Sequence, residues 1–223
     1  MTNTTSPSSA REDYLKAIFH LEAEEGKATT SSLALRLGVR DPSVSAMLKR
    51  LSADGLVSYA PRHGATLTDE GRAACLRVVR RHRLLEAFLV EILGLDWSEV
   101  HDEAEVLEHH LSDRIVDAMD HVLGYPAEDP HGHPIPTSEG TIRARALVAL
   151  EGAASGTTAT VRELRSDEPD RLVRWKELGF VPGARVEMLE RRDMEDVMRL
   201  RVGGSEIVSG TEGLVGVFVE VDG

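Results

Sequence analysis

The sequence is poor in the features that mark extracellular and membrane proteins. It contains one cysteine, Cys75, which excludes an intramolecular disulfide and favours the cytoplasm. No apolar run approaches the ~20 residues that a membrane-spanning helix needs. The Thr/Ser-rich segment 1–9, which we expect to be a disordered tail, lacks the basic and apolar regions of a signal peptide. We therefore expect a cytoplasmic protein with no membrane partner.

Positive charge is also scarce. The 223 residues include 38 Asp and Glu against 26 Lys and Arg, which gives a formal net charge of −12. This balance argues against a broad surface that coats nucleic acid, but it leaves room for a local basic element. The hydrophobic content of 41% is ordinary for a globular protein. The length suits one large domain or two to three small ones.

One stretch, residues 101–110, combines acids and histidines in the order HDEAEVLEHH. In a helix, Glu105, Glu108 and His109 share one face, and His101 lies one turn earlier on the same stripe. Converging carboxylates and imidazoles repel one another unless a cation lies between them. A donor set without thiolates suits Mn(II) or Fe(II). The alternative is a solvated acidic helix face that binds no metal.

Residues 28–53 predict two short helices joined by a tight turn. Gly38 ends the first helix, and Asp41-Pro42 begins the second as N-cap and N1. This is a helix-turn-helix pattern, although an ordinary helical hairpin shares it. The second helix presents small groups that can approach base edges and a cation that can meet phosphate. The residues assigned to this DNA-facing surface are Pro42, Ser43, Ser45, Ala46 and Lys49.

The segment that follows distinguishes these alternatives. Residues 56–68 read as two short strands around a basic tip that contains Arg62 and His63. A helix-turn-helix followed at once by a hairpin is a winged helix. Arg62 at its tip is placed to contact the DNA backbone or minor groove. The sequence therefore predicts binding to double-stranded DNA.

The rest of the chain predicts a helical region and a β region. A long helix over residues 68–93 carries His82 and Glu86 one turn apart, where they can share a cation or simply form a surface hydrogen bond. Its broad apolar face suits a dimer interface. Residues 125–140 form a Pro/Gly/His linker, and we expect His131 and His133 to lie in an exposed loop, with metal binding as the alternative.

From residue 145 onward the hydrophobic period changes to two, which predicts a small antiparallel barrel. We expect a mainly α protein with a small β component, divided into a winged-helix domain, a helical metal-binding and dimerisation domain, and an SH3-like domain. The corresponding ranges are 1–72, 73–140 and 141–223.

Two rival functions lack their motifs. A zinc hydrolase of the H-E-x-x-H type would need a spacing that residues 101–105 do not have. A di-iron oxidase would need Glu-x-x-His on two helices, whereas Glu105 and His109 are four residues apart. A constitutive DNA-binding scaffold would have no reason to gather carboxylates near a winged helix. We therefore expect no enzyme activity, with a metalloenzyme as the remote alternative.

Several motifs, taken together and in order, resemble the diphtheria toxin repressor family of metal-dependent transcriptional regulators. They comprise Tyr14 after an acid, the winged helix, and the segments RHRLLE (81–86), HDEA (101–104), Glu108-His109 and GHPIP (132–136). The segment LGFVPG (178–183) resembles the SH3-like domain of the longer members. The resemblance implies a homodimer that binds operator DNA when loaded with Fe(II) or Mn(II).

The resemblance also implies two metal sites. The site that gates DNA binding would use Asp13, Glu105, Glu108 and His109. A neighbouring ancillary site would use His82, Glu86 and His101, together with Glu168 of the SH3-like domain. In that domain, Arg171 occupies the position where another polar ligand would be expected.

The identity of two ligands bears on the metal. Iron-sensing members place a cysteine where this chain has Glu105 and a methionine where it has Asp13. The pattern is therefore similar to the manganese-sensing branch, with Fe(II) as the alternative. That branch has a glutamate where this chain has Lys16, whose ammonium group cannot bind a metal.

Overall fold

A computed structural model describes residues 9–166 and 168–222. Most of the expected N-terminal tail, residues 1–8, lies outside this range. The described chain divides into two compact units. The first contains the residues up to His82 together with Glu108–Leu111 and Pro136–Thr141, and the second contains Arg83–Leu107, Ser112–Ile135 and the chain from Ile142 onward.

The first unit begins with three helices, α1 (Ser9–Glu25), α2 (Thr30–Leu37) and α3 (Asp41–Ala53). The apolar stripe of α1 is buried in a core that it shares with α2 and α3. Leu15, Ile18, Leu33 and Leu48 are fully buried there. Burying a leucine or isoleucine side chain contributes about 1.5–3 kcal/mol, so this packing holds the three helices together.

Local signals define the turn between α2 and α3. The Thr29 side chain caps α2 by accepting a 3.0 Å hydrogen bond from the backbone N–H of Ser32. Gly38 ends the helix at φ 63°, in the left-handed region that favours glycine. The N-cap of α3 is Arg40, so Asp41 is the first helical residue and Pro42 the second. The predicted start is therefore wrong by one residue.

The hairpin that follows is formed by β1 (Val57–Ala60) and β2 (Gly64–Leu67). The two strands pair antiparallel from Val57↔Leu67 to Ala60↔Gly64. An isolated bridge between Ala28 and Ala65 ties the hairpin to the segment before α2. The first unit therefore contains the winged helix that the sequence predicts.

The central helices are α4 (Asp69–Glu91), α5 (Val100–Leu107) and α6 (Asp113–Val122). The acidic and histidine-rich stretch is α-helical only as far as Leu107, because Glu108–His110 form a 3-10 turn. Helix ends often tighten in this way. Within residues 9–166 and 168–222, no helix combines the length and the apolar character needed to cross a membrane.

The C-terminal part of the second unit is an antiparallel sheet of six strands with one helix, α7 (Pro169–Glu177). The strands are β3 (Val148–Ala149), β4 (Thr158–Leu164), β5 (Arg185–Arg192), β6 (Val197–Val202), β7 (Ser205–Ser209) and β8 (Val217–Val221). Their order is β3-β8-β4-β5-β6-β7. The two edge strands do not pair in the described chain, so the expected barrel is an open sheet. Trp175 and Phe180 fill its core.

Candidate metal centre and nucleic-acid interface

The exposed face of α3 carries the residues that the sequence assigns to DNA. Pro42, Ser43, Ala46 and Lys49 are exposed and Ser45 is half-buried. The opposite face packs into the core through buried aliphatic side chains, among them Val44, Leu48 and Leu51. Since these anchors fix the rotation of α3, its small and cationic side chains are presented to solvent on one surface.

The tip of the wing is exposed from Pro61 to His63. Arg62 adopts φ 68°, a conformation that costs free energy outside glycine and turns the chain sharply. Gly64 follows at φ 91°, and a Cβ there would lie 2.8 Å from the carbonyl oxygen of Ala28. The close approach of the wing to residue 28 therefore requires glycine, and it fixes the base of the loop that carries Arg62.

Two adjacent acids of α1 contact His109 from opposite sides of its ring. Nδ1 of His109 lies 2.7 Å from Oε2 of Glu12. Nε2 lies 2.9 Å from Oδ1 of Asp13. When Nδ1–H donates to Glu12, the lone pair of Nε2 is directed toward Asp13. This arrangement presents Nε2 as a potential metal ligand.

Glu12 belongs to this polar cluster, although the sequence pattern assigned it no role. The residue is 3% exposed, and its side chain also accepts a 3.0 Å hydrogen bond from Arg81. The helical spacing offered a signal, because Glu12 precedes buried Leu15 by three residues and therefore lies on the inward face of α1. Glu12 positions His109 and is itself held by Arg81.

Three of the four expected gating residues lie together in the first unit. Asp13, Glu108 and His109 each offer one ligand atom within 4.8 Å of the others. Nε2 of His109 lies 3.5 Å from Oε1 of Glu108. Two carboxylates and one imidazole form the donor set that Mn(II) and Fe(II) accept, so these residues fit a divalent cation.

Glu108 is fully buried, and its described neighbours in this unit include Lys16 and His82 besides His109. Oε1 accepts a 2.7 Å hydrogen bond from Nζ of Lys16, and Oε2 lies 2.6 Å from Nδ1 of His82. Burial on its own raises the pKa of Glu108. The hydrogen bond to His82 and the charge of Lys16 outweigh burial and hold the pKa below its ordinary value. These two neighbours therefore favour the ionised form of the Glu108 carboxylate.

The second unit contains most of the expected ancillary residues. Nδ1 of His101 lies 3.3 Å from Oε1 of Glu86, and Nε2 lies 3.7 Å from Oε1 of Glu105. Glu86 is buried, whereas His101 and Glu105 are half-buried. His82 is one helical turn before Glu86 on α4. Both His82 and Glu86 are buried, so neither side chain lies on the exposed surface of the helix.

The Pro/Gly/His linker is not an exposed loop. His131 is 4% exposed and Asp129 is 6% exposed. Oδ1 of Asp129 accepts hydrogen bonds from the backbone N–H groups of His131 and His133, at 2.8 and 3.0 Å. The loop supplies its own hydrogen-bond acceptor and folds inward, which periodicity cannot reveal. Asp129, His131 and His133 offer ligand atoms within 4.8 Å of one another.

Glu168 does not join a group of candidate ligands in the described chain. It is the N-cap of α7, exposed, and its carboxylate lies 3.3 Å from Nε of Arg171. In the described chain Glu168 therefore has Arg171 as an ion-pair partner. The assignment of Glu168 to the ancillary site stays a prediction.

Three family models match successive parts of the chain. They describe the iron-dependent repressor N-terminal DNA-binding domain over residues 8–65, the iron-dependent repressor metal-binding and dimerisation domain over residues 68–137, and the FeoA domain over residues 148–220. Together they extend over nearly the whole chain in the order that the resemblance predicts.

Curated relatives and solved structures agree with these matches. The iron-dependent repressor IdeR of Mycobacterium leprae is 36% identical over 78% of this chain and 81% of its own length. The diphtheria toxin repressor of Corynebacterium diphtheriae is 32% identical over 81% of this chain and 84% of its own. A manganese-dependent transcriptional repressor in complex with manganese superposes with a TM-score of 0.88 at 38% identity, covering 95% of this chain and 99% of that one. The IdeR of T. acidophilum gives a TM-score of 0.79 at 27% identity, covering all of both chains.

Proposed function

The chain belongs to the iron-dependent repressor family, which includes the diphtheria toxin repressor, and from this premise we propose that Mn(II) activates it to bind operator DNA. Membership makes it a metal-dependent transcriptional repressor and not an enzyme. The proposal adds the metal, the ligands and the regulated class of genes. We infer that these genes serve metal homeostasis, since a metal-gated repressor reports metal supply.

One observation carries the proposal. Asp13, Glu108 and His109 lie together in the same compact unit as the winged helix. Asp13 is on α1, whose apolar side chains Leu15 and Ile18 belong to the core that also holds α3. A group that binds Asp13 therefore acts on a helix whose other face supports the DNA-facing helix.

We propose that Glu105, three residues before Glu108, completes the gating site. When bound, a divalent cation would supply the positive charge that the carboxylates of Asp13, Glu105 and Glu108 need in order to share one site. His109 adds a neutral nitrogen, with Glu12 fixing its tautomer. These side chains hold α1 and the 3-10 turn after α5 in one arrangement.

The donor atoms favour Mn(II). Every proposed gating ligand is oxygen or imidazole, and such sites suit Mn(II), whereas soft ligands would favour other metals. Support also comes from the manganese-bound repressor, which resembles this chain at a TM-score of 0.88. Fe(II) is the alternative, because curated relatives at 36% identity are named iron-dependent repressors. An ancillary ion would use His82, Glu86 and His101.

We propose that the active form is a homodimer. In the second unit, Ile115 and Val122 of α6 are 48% and 60% exposed, and with Met119 and Phe88 they line an apolar groove. A second copy of the same surface would cover these side chains, and a two-fold axis makes such contact self-complementary. Two recognition helices would then read half-sites about 34 Å apart, one turn of DNA.

The experiment that tests the proposal measures DNA binding against metal. Duplexes selected from a random pool in the presence of Mn(II) would be titrated anaerobically with protein by fluorescence anisotropy, with Mn(II), with Fe(II) or with a chelator. We expect binding at micromolar Mn(II) and its loss with chelator. Equal binding with and without chelator would overturn metal gating. A response to Fe(II) far below the Mn(II) requirement would overturn the manganese assignment alone.

A further inference from the structure

Lys16 contacts a proposed metal ligand. Its Nζ lies 2.7 Å from Oε1 of Glu108. The side chain of Glu108 is fully buried and that of Lys16 is 11% exposed. The pair therefore joins an ammonium group at the edge of the site to a carboxylate in its interior. It brings together α1 and the 3-10 turn, the two segments that carry the proposed gating ligands.

We propose that Lys16 is a tethered counter-ion that competes with the divalent cation for Glu108 and so sets the metal concentration at which the repressor responds. This inference rests on the proposed function. It assigns to Lys16 a regulatory role that goes beyond the inability of an ammonium group to bind a metal.

The argument starts from the cost of burying a charge. A buried carboxylate needs a counter-charge, because desolvation disfavours it strongly when it is left alone. Lys16 supplies that charge to Glu108 when no divalent cation is bound. A bound cation would supply it instead. Because both cations would face the same oxygen, they repel each other, and metal binding requires the Lys16 ammonium to withdraw.

The other cation of the first-unit cluster does not play this part. Arg81 lies 3.0 Å from Oε1 of Glu12, which positions His109 through Oε2. Glu12 is not among the proposed ligands, so Arg81 can keep its partner when metal binds. Lys16 faces a proposed ligand oxygen directly. Arg81 therefore helps to position His109 through Glu12, whereas the Lys16 ammonium can be displaced from Glu108.

The geometry of the lysine side chain permits the exchange. Lys16 lies three residues after Asp13 on α1, so both side chains project from one face of the helix. A lysine carries its charge on a flexible four-carbon stem and can place the ammonium in water while the stem stays packed. Withdrawal therefore needs a rotamer change and no movement of the α1 backbone.

The test replaces Lys16 and measures metal binding directly. Lys16→Met removes the charge at similar length, Lys16→Gln is a second neutral variant, and Lys16→Arg retains the charge. Lys27→Met is the matched control, since Lys27 is an exposed lysine of the same unit. Free Mn(II) is followed by its EPR signal during titration of the full-length protein. Thermal unfolding is recorded with and without Mn(II).

We expect both neutral variants to bind Mn(II) about tenfold or more tightly than wild type, because a charge at this distance shifts a carboxylate equilibrium by that order. Without Mn(II) they should unfold at a lower temperature, since Glu108 loses a partner. Lys16→Arg and Lys27→Met should bind Mn(II) no more tightly than wild type.

Three results would overturn the inference in distinguishable ways. If wild type binds Mn(II) and the neutral variants bind it equally or more weakly, Lys16 does not compete and the proposed function stands. If Lys27→Met tightens binding as much as Lys16→Met, the effect is one of overall charge and the assignment to Lys16 fails. A wild type that binds no Mn(II) would overturn the manganese proposal together with this inference.

Discussion

Replacement of Glu108 by alanine separates the roles of this residue in folding and in metal binding. The substitution removes a fully buried carboxylate that contacts Lys16 at 2.7 Å and His82 at 2.6 Å. The sequence alone predicts an intact fold without metal-dependent DNA binding. The structure adds a cost in stability, because the variant leaves the Lys16 ammonium beside an apolar methyl group.

The size of that cost follows from the burial of the pair. Breaking a buried ion pair by removing one partner costs about 3–5 kcal/mol. Lys16 lies at the edge of the site and can reach water, so we expect the lower end, about 3 kcal/mol. For a chain of this length that corresponds to a fall of about 6–12 °C in the unfolding temperature. Mn(II) at a hundred times its dissociation constant should also raise the free energy of unfolding of wild type by about 2.7 kcal/mol. The same Mn(II) concentration should not change the free energy of unfolding of the variant.

Thermal unfolding with and without Mn(II), followed by circular dichroism, measures both quantities. The double variant Glu108→Ala/Lys16→Met is the control, since it removes both charges together. It should recover part of the lost stability and still show no Mn(II) response. A Glu108→Ala protein that unfolds at the wild-type temperature and is stabilised equally by Mn(II) would refute the reasoning.

Three further substitutions test the other elements of the proposal. Glu105→Cys introduces a thiolate and should shift the metal preference from Mn(II) toward Fe(II) or Co(II) in anaerobic DNA-binding titrations. If the variant and wild type prefer the metals in the same order, Glu105 is not a ligand of the site. Lys49→Ala should weaken binding to all duplexes and lower the slope of log affinity against log salt by about one. An unchanged slope would mean that α3 does not lie against phosphate. Glu12→Gln should weaken Mn(II) binding by about 10–100-fold through loss of the charge that orients His109; EPR titration measures it, and wild-type affinity would show that Glu12 does not position His109.

The fold was most predictable where local chemistry determines the backbone. Thr29 caps α2, Gly38 ends it in the left-handed region, and Gly64 allows the wing to approach residue 28. Each of these residues restricts the conformation of its own neighbours. The helix-turn-helix and hairpin could therefore be derived from the sequence to within a residue or two at each end.

Features that depend on long-range contacts could not be derived in this way. Glu12 faces His109, which is 97 residues distant in the chain. The linker around His131 folds inward because Asp129 accepts its backbone N–H groups, although its composition is typical of an exposed loop. The edges of the C-terminal sheet do not pair in the described chain, whereas alternation along each strand is the same in an open sheet and a closed barrel.

Contacts in the first unit also join residues that the resemblance assigns to different metal sites. The resemblance assigns His82 to the ancillary set, but in the first unit its Nδ1 lies 2.6 Å from Oε2 of Glu108, a proposed gating ligand. The other oxygen of Glu108 faces Lys16. A cation bound by Glu108 must therefore alter the hydrogen bonding of His82, and a cation bound by His82 must withdraw a partner from Glu108. Because one buried carboxylate has contacts on both sides, we infer that the two sets of ligands do not load independently.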